Sequence, residues 1–252
     1  MNIEPKLTLV GAGPGDADLI TLKGIHALAE ADVVLYDALV DISLLNYAPS
    51  DAPKVYVGKR KGQHSFQQAA INDLIVQYAQ ELGHVVRLKG GDPFVLGRGY
   101  EEIQHAQQFG IPTAVVPGVS SSTGVPSALG FPLTHRGVSR GFWVLTATAS
   151  SGKLLEDIQL AAQTDTTLVI LMGLHKLKDI VAIYTQLNKL DTPIAILQEG
   201  TLPTQQVVVG SMLDIEALAA SAQVQAPAIL LVGEVVKLST NYAQLSAYLT
   251  LK

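Results

Sequence analysis

Short apolar runs alternate with segments of helical periodicity along most of this 252-residue chain. The runs are 7–10, 33–36, 55–57, 85–88, 113–116, 143–146, 168–172, 194–197, 207–209 and 229–232. Such alternation predicts an α/β fold. The last three runs have the closer spacing of a β-meander, and Pro117 and Gly118 interrupt the pattern near the middle of the chain. We therefore predict two domains, residues 1–116 and 117–252.

The segment 7–37 has the order strand, loop, helix, strand, which predicts a βαβ unit. Thr21 is placed to cap the helix. The helix is expected to bury one apolar face, which consists of Leu22, Ile25, Leu28 and Ala29. Asp37 follows the second strand and Lys59 follows the run 55–57, so both are expected at the C-terminal edge of one parallel sheet.

The loop of this βαβ unit is rich in glycine but does not match a dinucleotide fingerprint. Its glycines stand at 11, 13 and 15, whereas the fingerprint needs its third glycine where this chain has Asp16. Pro14 also lacks the backbone N–H that a pyrophosphate would accept. The loop therefore favours a neutral or cationic ligand over a phosphate.

A second glycine-rich loop follows the run 85–88. Gly90 and Gly91 let the backbone turn where a side chain would block a ligand, and Pro93 fixes the exit from the turn. Taken alone, this loop is equally consistent with an ordinary strand-to-helix connection. The pair of loops favours a ligand site.

Composition narrows the class of protein. The chain is 48% hydrophobic and 15% charged, which is enough for a packed core, and its net charge of −5 argues against general affinity for nucleic acid. No apolar stretch of membrane-spanning length and no signal-peptide pattern is evident, so a cytoplasmic location is expected. The absence of cysteine excludes disulfides and thiolate chemistry.

Despite the acidic total, basic residues are locally in excess at 59–61 and recur in and around the glycine-rich and later segments. They are Lys59, Arg60, Lys61, Arg87, Lys89, Arg98, Arg136 and Arg140. An anionic substrate would explain them, because Arg binds carboxylates bidentately. On charge alone, solvated side chains on the surface are the more frequent explanation.

Eight blocks of this sequence together resemble the tetrapyrrole methyltransferase family. They are GAGPGD (11–16), ADVVLYDALV (31–40), VGKRKGQHS (57–65), VRLKGGDPFVLGRG (86–99), VVPGVSSS (115–122), GFPLTHRG (130–137), TLVILMGL (167–174) and PAILLVGEVV (227–236). The resemblance implies two αβα domains with the active site in the cleft between them, S-adenosylmethionine as methyl donor, no metal, and a homodimer.

The resemblance also implies a substrate and a set of alternatives. The block at 57–65 indicates members that methylate uroporphyrinogen III at ring carbons 2 and 7 to give precorrin-2, on the route to sirohaem and cobalamin. Another corrin-pathway methyltransferase and a diphthine synthase remain alternatives within the family. From other classes, a nicotinamide-dependent oxidoreductase and a non-catalytic tetrapyrrole carrier stay open.

The family pattern, carried over position by position, implies roles for individual residues. It makes Asp37 the proton acceptor and Lys59 the proton donor, although a structural cap and a surface lysine fit their spacing as well. The implied donor-binding residues are Pro14, Gly90, Gly91, Asp92, Val95, Ser120, Ser121, Met172, Gly200 and Ala228. The implied substrate-binding residues are Arg60, Arg98, His135 and Arg136. Met172 also fits a core position, and Ser120 to Ser122 also fit a helix cap.

Some positions depart from the family pattern. Ala38 stands where an arginine is usual, Leu171 replaces a tyrosine, and Tyr100 replaces a glycine. We expect these changes to affect contacts with the substrate more than binding of the donor, since the glycine loops are intact.

Overall fold

The computed structural model describes residues 3–58, 67–147 and 156–239. The chain divides into two compact units, Met1–Ser121 and Ser122–Lys252. The predicted boundary after residue 116 lies five residues before this division. Both units are α/β, as the alternation of apolar runs predicts.

The first unit is built on a parallel sheet. Its strands are β1 (Lys6–Gly11), β2 (Val33–Tyr36), β3 (Lys54–Tyr56), β4 (His84–Lys89) and β5 (Thr113–Val116), and its helices are α1 (Leu22–Ala29), α2 (Gln68–Leu82) and α3 (Gly99–Gln108). The strand order is β3-β2-β4-β1-β5, and every pairing is parallel. All five strands therefore end at the same edge of the sheet.

Alternating residues of these strands face two separate apolar clusters. Leu7 and Leu9 of β1 belong to one cluster, and Val10 of β1 belongs to the other. Val85 and Val86 of β4 divide in the same way. Burial on both faces explains why β1, β2 and β4 consist largely of apolar residues.

The buried face of α1 differs from the predicted one. Thr21 caps the helix as expected, because its Oγ1 accepts a hydrogen bond of 3.1 Å from the N–H of Gly24. However, Leu22 is 75% exposed and Ala29 is exposed, whereas Gly24 and Leu28 are buried. A Cβ on Gly24 would lie 2.9 Å from Ile20 and 3.1 Å from Val10. The helix approaches the sheet through its glycine, and this approach rotates Leu22 and Ala29 towards solvent.

The second unit is built on a mixed sheet. Its strands are β6 (Phe142–Thr146), β7 (Thr167–Leu171), β8 (Pro193–Gln198), β9 (Gln206–Ser211) and β10 (Ala228–Val232). Its helices are α4 (Ser121–Ala128), which begins at the unit boundary, α5 (Glu156–Ala162), α6 (Leu177–Gln186) and α7 (Ile215–Ser221). The strand order is β6-β7-β10-β8-β9, with only β6 and β7 paired in parallel.

The closely spaced strands of this unit are antiparallel, but their order is not that of a simple meander. β8 and β9 form an antiparallel pair, while β10 lies between β7 and β8 instead of next to β9. The start of β10 consequently lies beside the ends of β7 and β8. In the described ranges, no helix has the length and apolar character needed to cross a membrane.

Candidate active site

Three glycine-rich strand ends approach one another at the edge of the first unit. They lie at or just after the ends of β1, β4 and β5, and they contain Gly11, Gly91 and Gly118. A Cβ on Gly118 would lie 2.3 Å from the carbonyl oxygen of Gly91 and 2.7 Å from Cα of Gly11. Contacts this close to backbone atoms exclude any side chain at Gly118. Gly118 was not predicted as a site residue, although its place directly after an apolar run and a proline was the available signal.

Backbone hydrogen bonds join the first two of these loops. The N–H of Gly91 donates to the oxygen of Gly13 at 2.7 Å, and the N–H of Gly13 donates back to the oxygen of Gly91 at 3.3 Å. Both glycines have positive φ, +69° for Gly91 and +85° for Gly13. Pro14 follows directly and is half-buried. The structure thus brings Pro14 and Gly91, two of the predicted donor-binding residues, into the same pair of loops.

Asp92 ties the third loop to this pair. Its Oδ2 accepts a hydrogen bond of 3.0 Å from the N–H of Gly118, and its Oδ1 accepts one of 2.8 Å from the N–H of Phe94. The carboxylate therefore holds the loops in place within the protein itself, a role that the sequence did not reveal. Gly90 is constrained as well, since its Cβ would lie 2.9 Å from Cβ of Leu39.

Ser120 and Ser121 lie where α4 begins, beside the glycine loops. The backbone nitrogen of Ser121 is 3.7 Å from the position that a Cβ on Gly91 would occupy. Both serines are half-buried. Their position at the start of a helix agrees with the helix-cap alternative and also with a location at the site edge.

The predicted proton acceptor Asp37 lies at the same sheet edge, directly after β2, and it is partly exposed. Its Oδ1 accepts a hydrogen bond of 2.5 Å from Nη2 of Arg87, and 28% of its side chain is accessible to solvent. Lys59 and Arg60, which the family pattern assigns to proton donation and substrate binding, lie outside the described residues.

Arg87 and Lys89 are buried and pair with another residue of the protein. Neither explanation considered for their charge, binding of an anionic substrate or solvation at the surface, is therefore right for these two positions. Arg87 is 2% exposed and Lys89 is 4% exposed, and both pair with Glu102, which is fully buried. Because β4 lies at the centre of the sheet, its side chains reach the protein interior and need buried partners. Glu102 had a detectable signal in the sequence: it shares a helical face with Ile103 and Ala106, both buried.

The segment after Asp92 carries Val95, Arg98 and Tyr100. Arg98 is in the left-handed region with φ of +57°, and its guanidinium forms two hydrogen bonds of 2.7 and 2.8 Å with Glu101. This pairing lowers the pKa of Glu101 below its usual value and raises that of Arg98. Tyr100 is 61% exposed and makes an edge contact with Phe94. Arg98 is therefore accessible, but part of its hydrogen-bonding capacity is already used.

In the second unit, three predicted donor-binding residues lie at one edge of the sheet. Met172 follows the end of β7, Gly200 follows the end of β8, and Ala228 begins β10. The register places Leu171 opposite Ile229 and Gln198 opposite Ala228, so these ends are adjacent.

The backbone at this edge is strained. Met172, Glu199 and Thr201 have φ values of +55°, +46° and +78°. Non-glycine residues in this region cost about 1–2 kcal/mol each and tend to cluster at functional sites. Met172 is 55% exposed, so the alternative that it fills the core is wrong. Leu171, in contrast, is 9% exposed and packs in the core, so it does not contact a substrate directly.

His135 and Arg136 are located elsewhere in the second unit. They lie on an exposed turn closed by hydrogen bonds of 3.0 Å between His135 and Ser139. Ser139 Oγ in turn accepts from the N–H of Thr167, the first residue of β7. The turn is therefore attached at the edge opposite to Met172, and the structure does not bring these two residues together with the donor-binding residues of their own unit.

The predicted donor-binding residues suit a cation better than a phosphate. Apart from Asp92 none of them is charged, and the close glycine contacts present backbone atoms where other loops would present side chains. A sulfonium ion is attracted by such carbonyl dipoles and by a carboxylate. Within the ranges that the structure describes, no group of three or more His, Asp or Glu side chains is arranged to hold a metal.

Sequence similarity to known proteins extends over most of the chain. Residues 6–216 match the tetrapyrrole (corrin/porphyrin) methylases. A uroporphyrinogen-III C-methyltransferase from Methanocaldococcus jannaschii is 48% identical over 92% of this chain and 96% of its own length. A siroheme synthase from Actinobacillus pleuropneumoniae is 46% identical over 94% of this chain, but the chain spans only 49% of that longer protein.

Solved structures show the same fold. A uroporphyrin-III C-methyltransferase from Thermus thermophilus, in complex with S-adenosylhomocysteine, has a TM-score of 0.79 and 38% identity and covers 92% of this chain and 99% of its own. A cobalt precorrin-4 methyltransferase has a TM-score of 0.81 but 26% identity, with 92% and 95% covered. The two TM-scores are nearly equal, so backbone similarity does not distinguish between the two enzymes as relatives of this chain. Sequence identity is higher for the uroporphyrin-III C-methyltransferase.

Proposed function

Because this chain belongs to the tetrapyrrole (corrin/porphyrin) methylase family, we propose that it methylates uroporphyrinogen III at ring carbons 2 and 7 to give precorrin-2. The methyl donor is S-adenosylmethionine, and the second product is S-adenosylhomocysteine. The observation that best supports this proposal is the 48% identity to a uroporphyrinogen-III C-methyltransferase over nearly the full length of both chains. The product serves the sirohaem and cobalamin pathways.

The chain's main contribution to methyl transfer is alignment of the two reactants. When bound, S-adenosylmethionine supplies a methyl group on a positively charged sulfur, and this methyl forms a bond to a nucleophilic pyrrole carbon as its bond to sulfur breaks. Holding two reactants in line is worth about 7–11 kcal/mol relative to free encounter. The rigid glycine contacts at Gly11, Gly91 and Gly118 are suited to this task, because they leave little freedom for the loops to move.

Ten residues are proposed to bind the methyl donor. They are Pro14, Gly90, Gly91, Asp92, Val95, Ser120 and Ser121 from the first unit and Met172, Gly200 and Ala228 from the second. Positive charge disappears from the sulfur during the reaction. Weak carbonyl dipoles near the sulfur therefore cost less catalytic power than a fixed anion would, since an anion stabilises the ground state more than the transition state. We therefore propose that the carboxylate of Asp92 faces the amine or the hydroxyls of the donor and not its sulfur.

Proton transfer is the second task. Methylation leaves a cationic macrocycle, which becomes neutral when a C–H bond breaks and the proton passes to an acceptor. Asp37 is suited to accept this proton, because it is partly exposed at the sheet edge and held by Arg87. Lys59 is the proposed proton donor, and Arg60, Arg98, His135 and Arg136 are the proposed partners of the substrate carboxylates. The four residues offer guanidinium or imidazole groups, which bind carboxylates well.

The mass of the reaction product tests the assignment. Purified chain, S-adenosylmethionine and uroporphyrinogen III are incubated without oxygen, and the product is expected to gain two methyl groups. The same mixture without the methyl donor is the control. An unmethylated product, together with methylation of a cobalt-precorrin by the same preparation, would assign the chain to another corrin-pathway step.

Two further properties follow from family membership as proposals. We propose a homodimer, which sedimentation at micromolar concentration tests directly. We also propose a cytoplasmic location, because the substrates of tetrapyrrole synthesis are found there.

A further inference from the structure

A buried cluster of charged side chains lies behind Asp37 in the first unit. Arg87 is its centre: Nη2 donates to Asp37, and Nε donates to Oε1 of Glu102 at 3.3 Å. Nη1 of Arg87 also donates to the backbone oxygens of Leu88 at 3.1 Å and Leu35 at 3.4 Å. The guanidinium plane is therefore fixed by partners on three sides, and so is the direction from which it meets Asp37.

Glu102 is the anchor of this cluster. It is 0% exposed, and its Oε1 accepts from Lys89 Nζ at 2.9 Å and from Gln68 Nε2 at 3.1 Å, in addition to Arg87. Its Oε2 is buried and has no hydrogen-bond partner among the residues that the structure describes. The position of Glu102 is thus set by the two cations of β4 together with Gln68.

Charges balance within the cluster. Arg87 and Lys89 supply two positive charges, and Asp37 and Glu102 supply two negative ones. Burial lowers the pKa of Lys89, with Arg87 adding to this effect, whereas Glu102 opposes it. Asp37 is the one member with substantial exposure, 28%, compared with 5% or less for the side chains of the other three.

Stability alone does not account for this arrangement. A buried ion pair is often no better than apolar side chains of the same volume, because removing both charges from water is costly. Placing a partly exposed carboxylate at a fixed position is a task that apolar residues cannot perform. We propose that Glu102 is a positioning residue for proton transfer, acting on Asp37 through Arg87.

The proposal rests on the role of Asp37 as proton acceptor. Without the charge of Glu102, Asp37 would be the only anion facing both Arg87 and Lys89. It would then be drawn by both cations towards the interior, away from its partly exposed position, and this displacement would make it a poorer proton acceptor. Binding of the methyl donor does not involve this carboxylate and should be unaffected.

The variant Glu102→Gln tests this directly, since it removes the charge while keeping the shape. We expect kcat with uroporphyrinogen III to fall by about tenfold or more, because a positioned acid or base contributes roughly 10²–10⁴-fold. Calorimetry with S-adenosylhomocysteine should give a Kd within about twofold of the unmodified chain, and KM for uroporphyrinogen III should change little. Glu81→Gln on α2, an exposed glutamate that pairs only with Gln77 among the described residues, is the matched control.

A double-mutant cycle separates action through Asp37 from general support of the fold. If Glu102 acts through Asp37, Asp37→Asn combined with Glu102→Gln should be no slower than Asp37→Asn alone. A double variant slowed by the full additional factor would overturn the proposal, as would a wild-type rate for Glu102→Gln. A wild-type rate for Asp37→Asn would instead overturn the proposed role of Asp37 itself.

A second variant covers the case in which Glu102→Gln does not fold. Replacing Lys89 and Glu102 together by Met keeps the local charge balanced and the interior apolar, and such replacements are often tolerated. Arg87 then lacks its anchor, so kcat should still fall while the Kd for S-adenosylhomocysteine stays unchanged. A wild-type kcat in this folded variant would contradict the proposal.

Discussion

The two sheets differ at the edges that carry the proposed site residues. In the first unit all strands are parallel, so the ends of β1, β2, β4 and β5 lie at one edge and bring several loops together. That edge combines close glycine contacts with a cluster of four charged side chains, Arg87 with Asp37, Lys89 and Glu102, of which only Asp37 is substantially exposed. In the second unit the sheet is mixed, and its edge joins the ends of β7 and β8 to the start of β10.

The residues proposed at the second edge are uncharged, and the backbone there is strained instead. Three non-glycine residues have positive φ, and Met172 is held out into solvent. Both edges carry proposed donor-binding residues, nearly all of them uncharged, which suits a sulfonium that loses its charge. Only the first edge adds the fixed charged environment that a proton acceptor needs.

The largest effect is expected from Gly118→Ala in the first unit. The new Cβ would lie 2.3 Å from the oxygen of Gly91, and neither backbone segment can move without breaking the loop contacts. Overpacking of this kind costs about 3 kcal/mol or more, which corresponds to roughly 100-fold in affinity for S-adenosylhomocysteine. Isothermal titration calorimetry measures this loss, and the melting temperature is recorded in parallel.

Gly141→Ala is the control for this substitution. Its Cβ would meet nothing within 4 Å, and its φ is not in the left-handed region. It should bind S-adenosylhomocysteine as the unmodified chain does. Normal affinity in Gly118→Ala would show that the first edge does not shape the donor site.

A smaller effect is expected from Gly200→Ala in the second unit, where the obstacle is a side chain. The new Cβ would lie 2.2 Å from Cγ1 of Val125 in α4. We expect donor affinity to fall by about tenfold, within the usual 1–3 kcal/mol for overpacking. Because Val125→Ala removes the clashing methyl groups, the double variant should recover most of the affinity. Failure of this rescue in the calorimetric Kd would exclude Val125 as the cause.

The strands and the general location of the site could be predicted from the sequence, because both depend on local patterns. The runs at 33–36 and 113–116 match β2 and β5 residue for residue. β2 is apolar throughout because its residues are largely buried in the parallel sheet. Asp37 and Lys59 were expected at one edge by the rule that parallel strands end together; Asp37 lies there, directly after β2, and Lys59 lies outside the described residues. For the second unit, the family pattern named Met172, Gly200 and Ala228, and the register of β7, β10 and β8 then shows them to be adjacent.

Features that depend on distant contacts could not be predicted. The insertion of β10 between β7 and β8 is decided by packing between strands far apart in sequence. The burial of Arg87 and Lys89 depends on Glu102, which lies 15 and 13 residues away along the chain. The rotation of α1 depends on contacts of Gly24 with Val10 and Ile20, so the apolar periodicity was right for Leu28 but wrong for Leu22 and Ala29.

Met172→Gly tests whether strain at the second edge serves function. Glycine removes the cost of a left-handed backbone at a non-glycine residue, about 1–2 kcal/mol, but loses about 0.5–1 kcal/mol more conformational entropy on folding. The free energy of unfolding should therefore rise by about 0.5–1 kcal/mol. Donor affinity should fall by several fold, because the exposed side chain is lost. Gln223→Gly, at φ of +53° on an exposed position, is expected to stabilise similarly without changing affinity. Equal affinities in the two variants would contradict a binding role for Met172.

The smallest expected effect is on the pH dependence of stability, and it concerns His84 at the start of β4. His84 tests whether a buried polar side chain of the first unit that lies outside the proposed site contributes to stability. Its Nδ1 and Nε2 lie 2.9 Å from the oxygen of Glu30 and 2.8 Å from Oγ1 of Thr8. Burial lowers the pKa of His84 below 6.5, and Lys6 adds to this effect while the carboxylate of Asp32 opposes it. Since the unfolded chain binds the proton more readily, the contribution of neutral His84 is complete above about pH 6.5 and is lost as the pH falls towards the folded pKa.

Among the described residues His84 is the buried histidine, so acid should weaken the first unit before the second. Amide hydrogen exchange resolves the two units, and protection of β1 and β4 should decrease between pH 7.5 and about 5.5 while that of β8 and β10 changes little. In His84→Gln this difference should disappear, even if the variant is less stable at every pH. His26→Gln on the exposed face of α1 should keep it, because His26 is accessible to solvent. Equal acid sensitivity of the two units in the unmodified chain would show that the buried polar groups at this end of β4 do not set the pH dependence.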